Sequence, residues 1–104
     1  MLAVTTGSKI PGEEALWRYK RGAARVALGR GDAARDDLQR ATVSEAQTWV
    51  RGRARVELAK VALQRGDRGT AAGEARQAES LCQEGQDPVC LDEAKKLLRT
   101  SDGR

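Results

Sequence analysis

The sequence predicts an all-α fold, a short α-solenoid of two helical hairpins with a fifth helix closing it. Three observations predict it. Residues 18–32 (RYKRGAARVALGRGD) return 35 positions later as residues 53–67 (RARVELAKVALQRGD), with eight of fifteen positions identical. Self-similarity at such a period marks stacked helical units, each burying its face only against its neighbours. The apolar residues, 39% of the 104, are mainly Ala, Leu and Val, with no Phe, one Tyr and two Trp. Side chains this small let helix axes approach closely. No run alternates with period two, so no strand is expected.

The elements follow in order. Residues 1–12 are expected to form a flexible lead-in closed by Pro11-Gly12. The first helix is expected from Glu13 to Arg30, with Glu13 and Glu14 at the positive end of its dipole. Leu16, Tyr19, Ala23 and Ala27, beside Trp17, Ala24 and Leu28, give adjoining apolar stripes, and Arg18, Arg21 and Arg25 lie away from them. Gly31 is the expected left-handed cap and Asp32 the N-cap of a second helix over 33–42, which turns Ala34, Leu38 and Ala41 inward. Ser44 and Gln47 have capping-box spacing and open a third helix that runs to Arg65. Its apolar positions are Trp49, Val50, Ala54, Leu58, Val61 and Ala62.

Gly66-Asp67 repeats the turn. A fourth helix over 68–84 offers Ala71, Ala75, Ala78 and Leu81. It matches the second helix only at an offset of 37, which places two extra residues near Arg68-Gly69. Gly85 closes it. Asp87 and Pro88 suit the N-cap and first position of a fifth helix. That helix buries Leu91, Ala94, Leu97 and Leu98 and ends near residue 99, with 100–104 as a frayed tail.

A helix–Gly-Asp–helix unit, a period of 35, small residues at helix contacts (Ala59, Ala71, Ala78) and the Asp87-Pro88 after the second unit together resemble the tetratricopeptide repeat family over residues 16–99. Three features depart from the family pattern: no Pro closes the first unit, its second helix is short, and Trp17 and Trp49 stand 14 and 17 residues before the Gly of their turns. The resemblance implies a scaffold that binds peptides or proteins without catalysis, along the concave face made by the first helices of each unit.

The charge pattern bears on what such a face would bind. At the 35-residue offset Arg18 is equivalent to Arg53 and Arg25 to Lys60, so stacking is expected to align them as a basic ladder, with Trp17 at its edge. The expected ligand is a protein or peptide partner, an acidic segment or a partner domain. The other reading is that these cations solvate the surface or pair with the acidic helices beside them. A net charge of +4 with 33% charged residues of both signs is thin for nucleic acid, and stacking aromatics are scarce. A nucleic-acid-binding protein using the Arg-rich helices stands as the alternative function.

Catalysis is not expected. The chain has no His, no Gly-rich phosphate loop and no convergent acid–base pair. Asp36-Asp37 and Asp92-Glu93 are neighbours on helices and diverge by about 100°. No metal site and no cofactor is expected, since Cys82 and Cys90 alone fall two ligands short of a zinc site. These two cysteines flank the last turn, and two readings stand: a disulfide stapling the hairpin, or two buried free thiols. A bridge would place the protein in an oxidising compartment, periplasmic or secreted; free thiols would place it in the cytoplasm. Arg-Gly-Asp occurs at 30–32 and 65–67, where the letters supply a basic last residue, a cap glycine and an N-cap rather than an adhesion loop. The first residues lack the basic start and apolar stretch of a secretory signal. No stretch is long and apolar enough to span a membrane. The chain is either one domain or the C-terminal end of a longer array capped by the fifth helix.

Overall fold

A computed structural model describes residues 12–101. Among these the only regular elements are five α-helices: α1 (Glu13–Ala27), α2 (Gly31–Arg40), α3 (Thr48–Gln64), α4 (Arg68–Glu84) and α5 (Pro88–Ser101). The all-helical class follows, and no strand occurs among the described residues. The expected lead-in lies outside them except for Gly12, as does the expected tail beyond Ser101.

Packing runs between near neighbours in the chain. α1 contacts α2 and α3, α2 contacts α3, α3 contacts α4 and α5, and α4 contacts α5. The core accordingly has two parts. Val26, Ala34, Leu38, Val50, Ala54, Leu58 and Val61 join α1, α2 and α3, with Leu16, Tyr19 and Trp49 packed on their edge. Val56, Ala78, Cys82, Cys90 and Ala94 join α3, α4 and α5. Small residues set the closeness of the first crossing. A Cβ on Gly22 would stand 2.7 Å from Leu38 Cγ, so only a glycine lets α2 lie this near α1.

Three interhelical turns share one geometry. In the first, the Gly29 N–H donates to Val26 O and the Arg30 N–H to Arg25 O. In the second, Gly66 donates to Leu63 O and Asp67 to Ala62 O; in the third, Gln86 donates to Gln83 O and Asp87 to Cys82 O. Each is a helix C-terminus closed by one left-handed residue: Gly29 at φ 78°, Gly66 at φ 79° and Gln86 at φ 55°.

This geometry corrects the first turn. α1 ends at Ala27 and not at Arg30, and Gly29, not Gly31, takes the left-handed position. Gly31 starts α2 behind Arg30, so Asp32 stands in the first turn and caps nothing. The reason is packing: a Cβ on Gly31 would meet Gln64 Oε1 at 3.0 Å and the Val61 methyls at 3.4 Å. The second glycine of the GRGD run is thus used to admit α3, and the first to make the turn. The turns therefore repeat at 37 residues, Gly29 with Gly66 and Arg30 with Asp67. The two extra residues expected near Arg68-Gly69 fall instead ahead of the turn.

The start of α3 is also later than expected. Its N-cap is Gln47 in an extended conformation with no side-chain cap, so the Ser44–Gln47 capping box does not form. The Gln47 carboxamide oxygen instead accepts from Trp49 Nε1 at 2.7 Å. α4 is capped as its sequence suggests, by the Asp67 carboxylate accepting from the Thr70 N–H at 3.1 Å and the Thr70 hydroxyl at 2.7 Å. At the far end α5 continues to Ser101, two residues past the expected limit.

Candidate functional site

Two residues along an α-helix correspond to a rotation of about 200°. The change from a 35- to a 37-residue register therefore decides where the four expected ladder cations point. They do not form one line. Arg18 and Arg25 turn to the seam between α1 and α2, and Arg53 and Lys60 to the seam between α3 and α5.

At the first seam the side chain of Asp37 is 2% exposed and sits under three guanidinium groups. Its Oδ1 accepts from Arg18 Nη1 at 3.0 Å and Arg21 Nη2 at 2.6 Å; its Oδ2 accepts from Arg21 Nε at 2.7 Å and Arg25 Nη1 at 2.9 Å. The hydrogen bonds from Arg21, helped by Arg18, outweigh burial and hold the Asp37 carboxyl below the usual range. Arg18 also reaches Glu14 at 3.3 Å. The counterpart of this seam, 37 residues on, is a single pair, Arg55 Nη1 to Glu74 Oε1 at 2.8 Å. Arg18 is thus equivalent in structure to Arg55, not to Arg53.

At the second seam Arg53 donates to both oxygens of Asp87, at 2.6 and 3.0 Å. Asp87 also accepts from the Cys90 N–H at 3.3 Å, which makes it the cap of α5 as well as the partner of α3. The Arg53 hydrogen bonds hold Asp87 below the usual carboxylate range, and Asp87 in turn raises Arg53. Lys60 bridges Glu57 and Glu93, both at 3.0 Å. Burial pulls Lys60 down, but the two carboxylates more than offset it and raise its pKa.

Between these pairs lies a small groove to which α1, α3 and α5 all contribute, lined by Tyr19, Arg53, Val56, Glu57, Val89 and Glu93. Burial raises the Tyr19 phenol, against the opposing pull of Arg53. Tyr19 packs edge-on against Trp49 with ring centroids 6.3 Å apart, which holds the wall of the groove in place. Val89 on its opposite wall is 66% exposed.

The two tryptophans differ. Trp49 is half-buried against the core, whereas Trp17 is 52% exposed on α1. The guanidinium of Arg21 stands 4.3 Å from the Trp17 ring centroid and that of Arg18 5.4 Å. Cys82 and Cys90 are joined as a disulfide with Cα atoms 5.5 Å apart, both side chains buried in the second core cluster. The two Arg-Gly-Asp tripeptides face each other, Arg65 of one donating to Asp32 of the other at 2.8 Å. Among the described residues no cluster of His, Cys, Asp and Glu could hold a metal ion, and no helix is long and apolar enough to cross a membrane.

Reasoning from sequence missed Asp37 as the hub, and with it Arg21, Glu57, Glu93 and Val89. A signal for the hub was present. Arg18, Arg21 and Arg25 recur at helical spacing on one face, opposite a short helix with an Asp-Asp pair. No protein-family model, curated protein or solved structure matches this chain.

Proposed function

We propose that this chain is a protein-interaction scaffold: a short α-solenoid of two tetratricopeptide-like hairpins capped by α5, binding a peptide or partner domain on the face of α1, α3 and α5. The observation that carries the reading is the groove lined jointly by Tyr19, Arg53, Glu57, Val89 and Glu93, since a site assembled from first, third and fifth helices requires the stack itself. Packing limited to near neighbours and turns repeated at 37 residues support the stacked arrangement. The role is binding without catalysis. Arg53 and Lys60 would take part as rim groups that exchange an internal carboxylate for one on the ligand, a swap with little net gain per pair. Apolar contact at Val89 and Tyr19 then supplies more of the affinity than charge does.

Selection of a random peptide library on the immobilised protein tests this. Selected peptides should lose affinity about tenfold or more against Val89→Asp or Glu93→Lys, with the helical circular-dichroism signal unchanged. Peptides indifferent to both substitutions would remove the groove as the site. Tight retention of single- or double-stranded oligonucleotides at physiological salt, with no peptide selected, would replace the scaffold by a nucleic-acid-binding reading.

A further inference from the structure

The cluster around Asp37 has more donors than its carboxylate can use. Two carboxylate oxygens offer about four acceptor sites, and all four are taken by Arg18, Arg21 and Arg25. Arg25 spends a further bond on the Ala33 carbonyl at 3.3 Å. Nη1 of Arg21 and Nε and Nη2 of Arg25 engage no acceptor among the described residues, and both side chains are more than a third exposed. Their inner nitrogens are fixed by a buried anion, so the outer ones are held in place before any ligand arrives.

Trp17, Arg21 and Arg25 are also spaced four apart. They form one row along α1 beside its seam with α2, with steps of about 6 Å. Alternate residues of an extended peptide are separated by about 6.6 Å, so side chains on one side of a strand match the row. Trp17 offers an exposed aromatic face already flanked by a guanidinium, which suits an apolar side chain.

We propose that this row binds an extended acidic peptide of the pattern apolar-x-acidic-x-acidic, its apolar side chain on Trp17 and its carboxylates on the outer nitrogens of Arg21 and Arg25. Planar forks on planar carboxylates give each contact directional strength. Nucleic acid fits less well. Glu14, Asp36 and Asp37 already surround the row, so it offers directed N–H donors rather than net positive charge, and it is the charge that a phosphate backbone depends on. The proposal rests on the scaffold reading for the kind of ligand and on α1 alone for its place. The site is distinct from the groove shared by α1, α3 and α5, since Tyr19, which lines that groove, is two residues and so about 200° around α1 from Trp17 and Arg21.

The probe is a fluorescein-labelled peptide, Trp-Ser-Glu-Ser-Glu with blocked ends, followed by fluorescence anisotropy against the full chain. Replacing both Glu of the probe by Gln should weaken binding at least about tenfold, as should Trp17→Ala, whose ring makes no hydrogen bond among the described residues and meets only the Arg18 and Arg21 guanidiniums by its face. Arg25→Gln leaves Asp37 three of its four bonds and should weaken the probe to a similar degree. Val89→Asp, in the separate groove, should leave it unchanged. If Val89→Asp releases the probe and Trp17→Ala does not, the row is overturned and the groove stands. If the probe ignores Trp17→Ala, Arg25→Gln and its own Glu→Gln change, the row is overturned. If, in addition, no library peptide binds, the scaffold falls with it.

Discussion

The two hairpins are built on the same turn and held together by different means. In α1–α2 a short helix is fastened by one buried carboxylate under three guanidinium groups, around a glycine that Leu38 crosses at close range. In α3–α4 both helices run 17 residues, alanines line the seam, and one ion pair remains at the matching place. The second unit is secured further along, where Asp87 ties α5 to Arg53 and a disulfide closes the turn between α4 and α5. Short helices bury too little apolar surface to hold themselves. Electrostatic fastening therefore appears at the shortest helix, the ten-residue α2. The longer pair can rely on packing.

Breaking the carboxylate at each seam tests this comparison and has the largest expected effect. Asp37→Asn leaves three guanidiniums facing one another without their anion and should cost about 3 kcal/mol, whereas Glu74→Gln should cost less than about 1 kcal/mol. Chemical denaturation of the two variants reads the difference. Equal losses would mean that Asp37 is no more than another surface pair. The same contrast predicts a pH dependence. The folded pKa of Asp37 is depressed, as is that of Asp87. Their contribution is therefore fully present above the unfolded carboxylate value near pH 4 and is lost as pH falls through the lower folded values. Asp37→Asn should flatten part of the acid limb of the stability curve.

Reducing the Cys82–Cys90 disulfide should cost about 2 kcal/mol, because the loop it closes is short. The effect should be local. Hydrogen exchange should quicken in α5 and the end of α4, with α1 and α2 nearly unchanged, since α5 contacts only α3 and α4. Loss of protection spread evenly over all five helices would show that the two halves of the core unfold as one unit.

Most of the helices were legible because Gly, Asp and Pro punctuate the chain and Ala and Leu recur at helical spacing between them. The register was not. Sequence identity aligns Gly31 with Gly66, but either glycine of the GRGD run can make the turn, and only the approach of Val61 and Gln64 to Gly31 decides between them. That choice shifts the alignment by two residues, and two residues rotate a helix by about 200°. Equivalences drawn between Arg18 and Arg53 therefore pointed to opposite sides. The disulfide, by contrast, depends on neighbours across one short turn, and flanking cysteines were enough to pose it as one of two readings.

The two Arg-Gly-Asp tripeptides sharpen the same point at smaller cost. Asp67 caps α4 through Thr70, and the hydrogen bond from the Thr70 hydroxyl holds its pKa below the usual range. Asp67→Ala removes a helix N-cap and should lower Tm measurably. Asp32 caps nothing and meets only the exposed Arg65, so Asp32→Ala should cost under about 0.5 kcal/mol. Identical tripeptides with unequal losses would confirm the two-residue shift; equal losses would restore the 35-residue register.

The third turn extends the comparison to a position where the residue type itself differs. Gly29 and Gly66 occupy the left-handed conformation with no Cβ to crowd the backbone, while Gln86 takes it at φ 55°. For a residue with a side chain this conformation costs roughly 1 kcal/mol, and Gln86 is exposed and has no hydrogen bond from its side chain to offset it among the described residues. Gln86→Gly removes that crowding but enlarges the freedom of the unfolded chain, which takes back part of the gain. The expected result is a net stabilisation of about 0.5 kcal/mol, seen as a small rise in Tm. The rise should persist after reduction of the disulfide, because the strain lies in the backbone of the turn and not in the bridge across it. A fall in Tm would mean that the side chain of Gln86, not its backbone conformation, sets the fit of this turn.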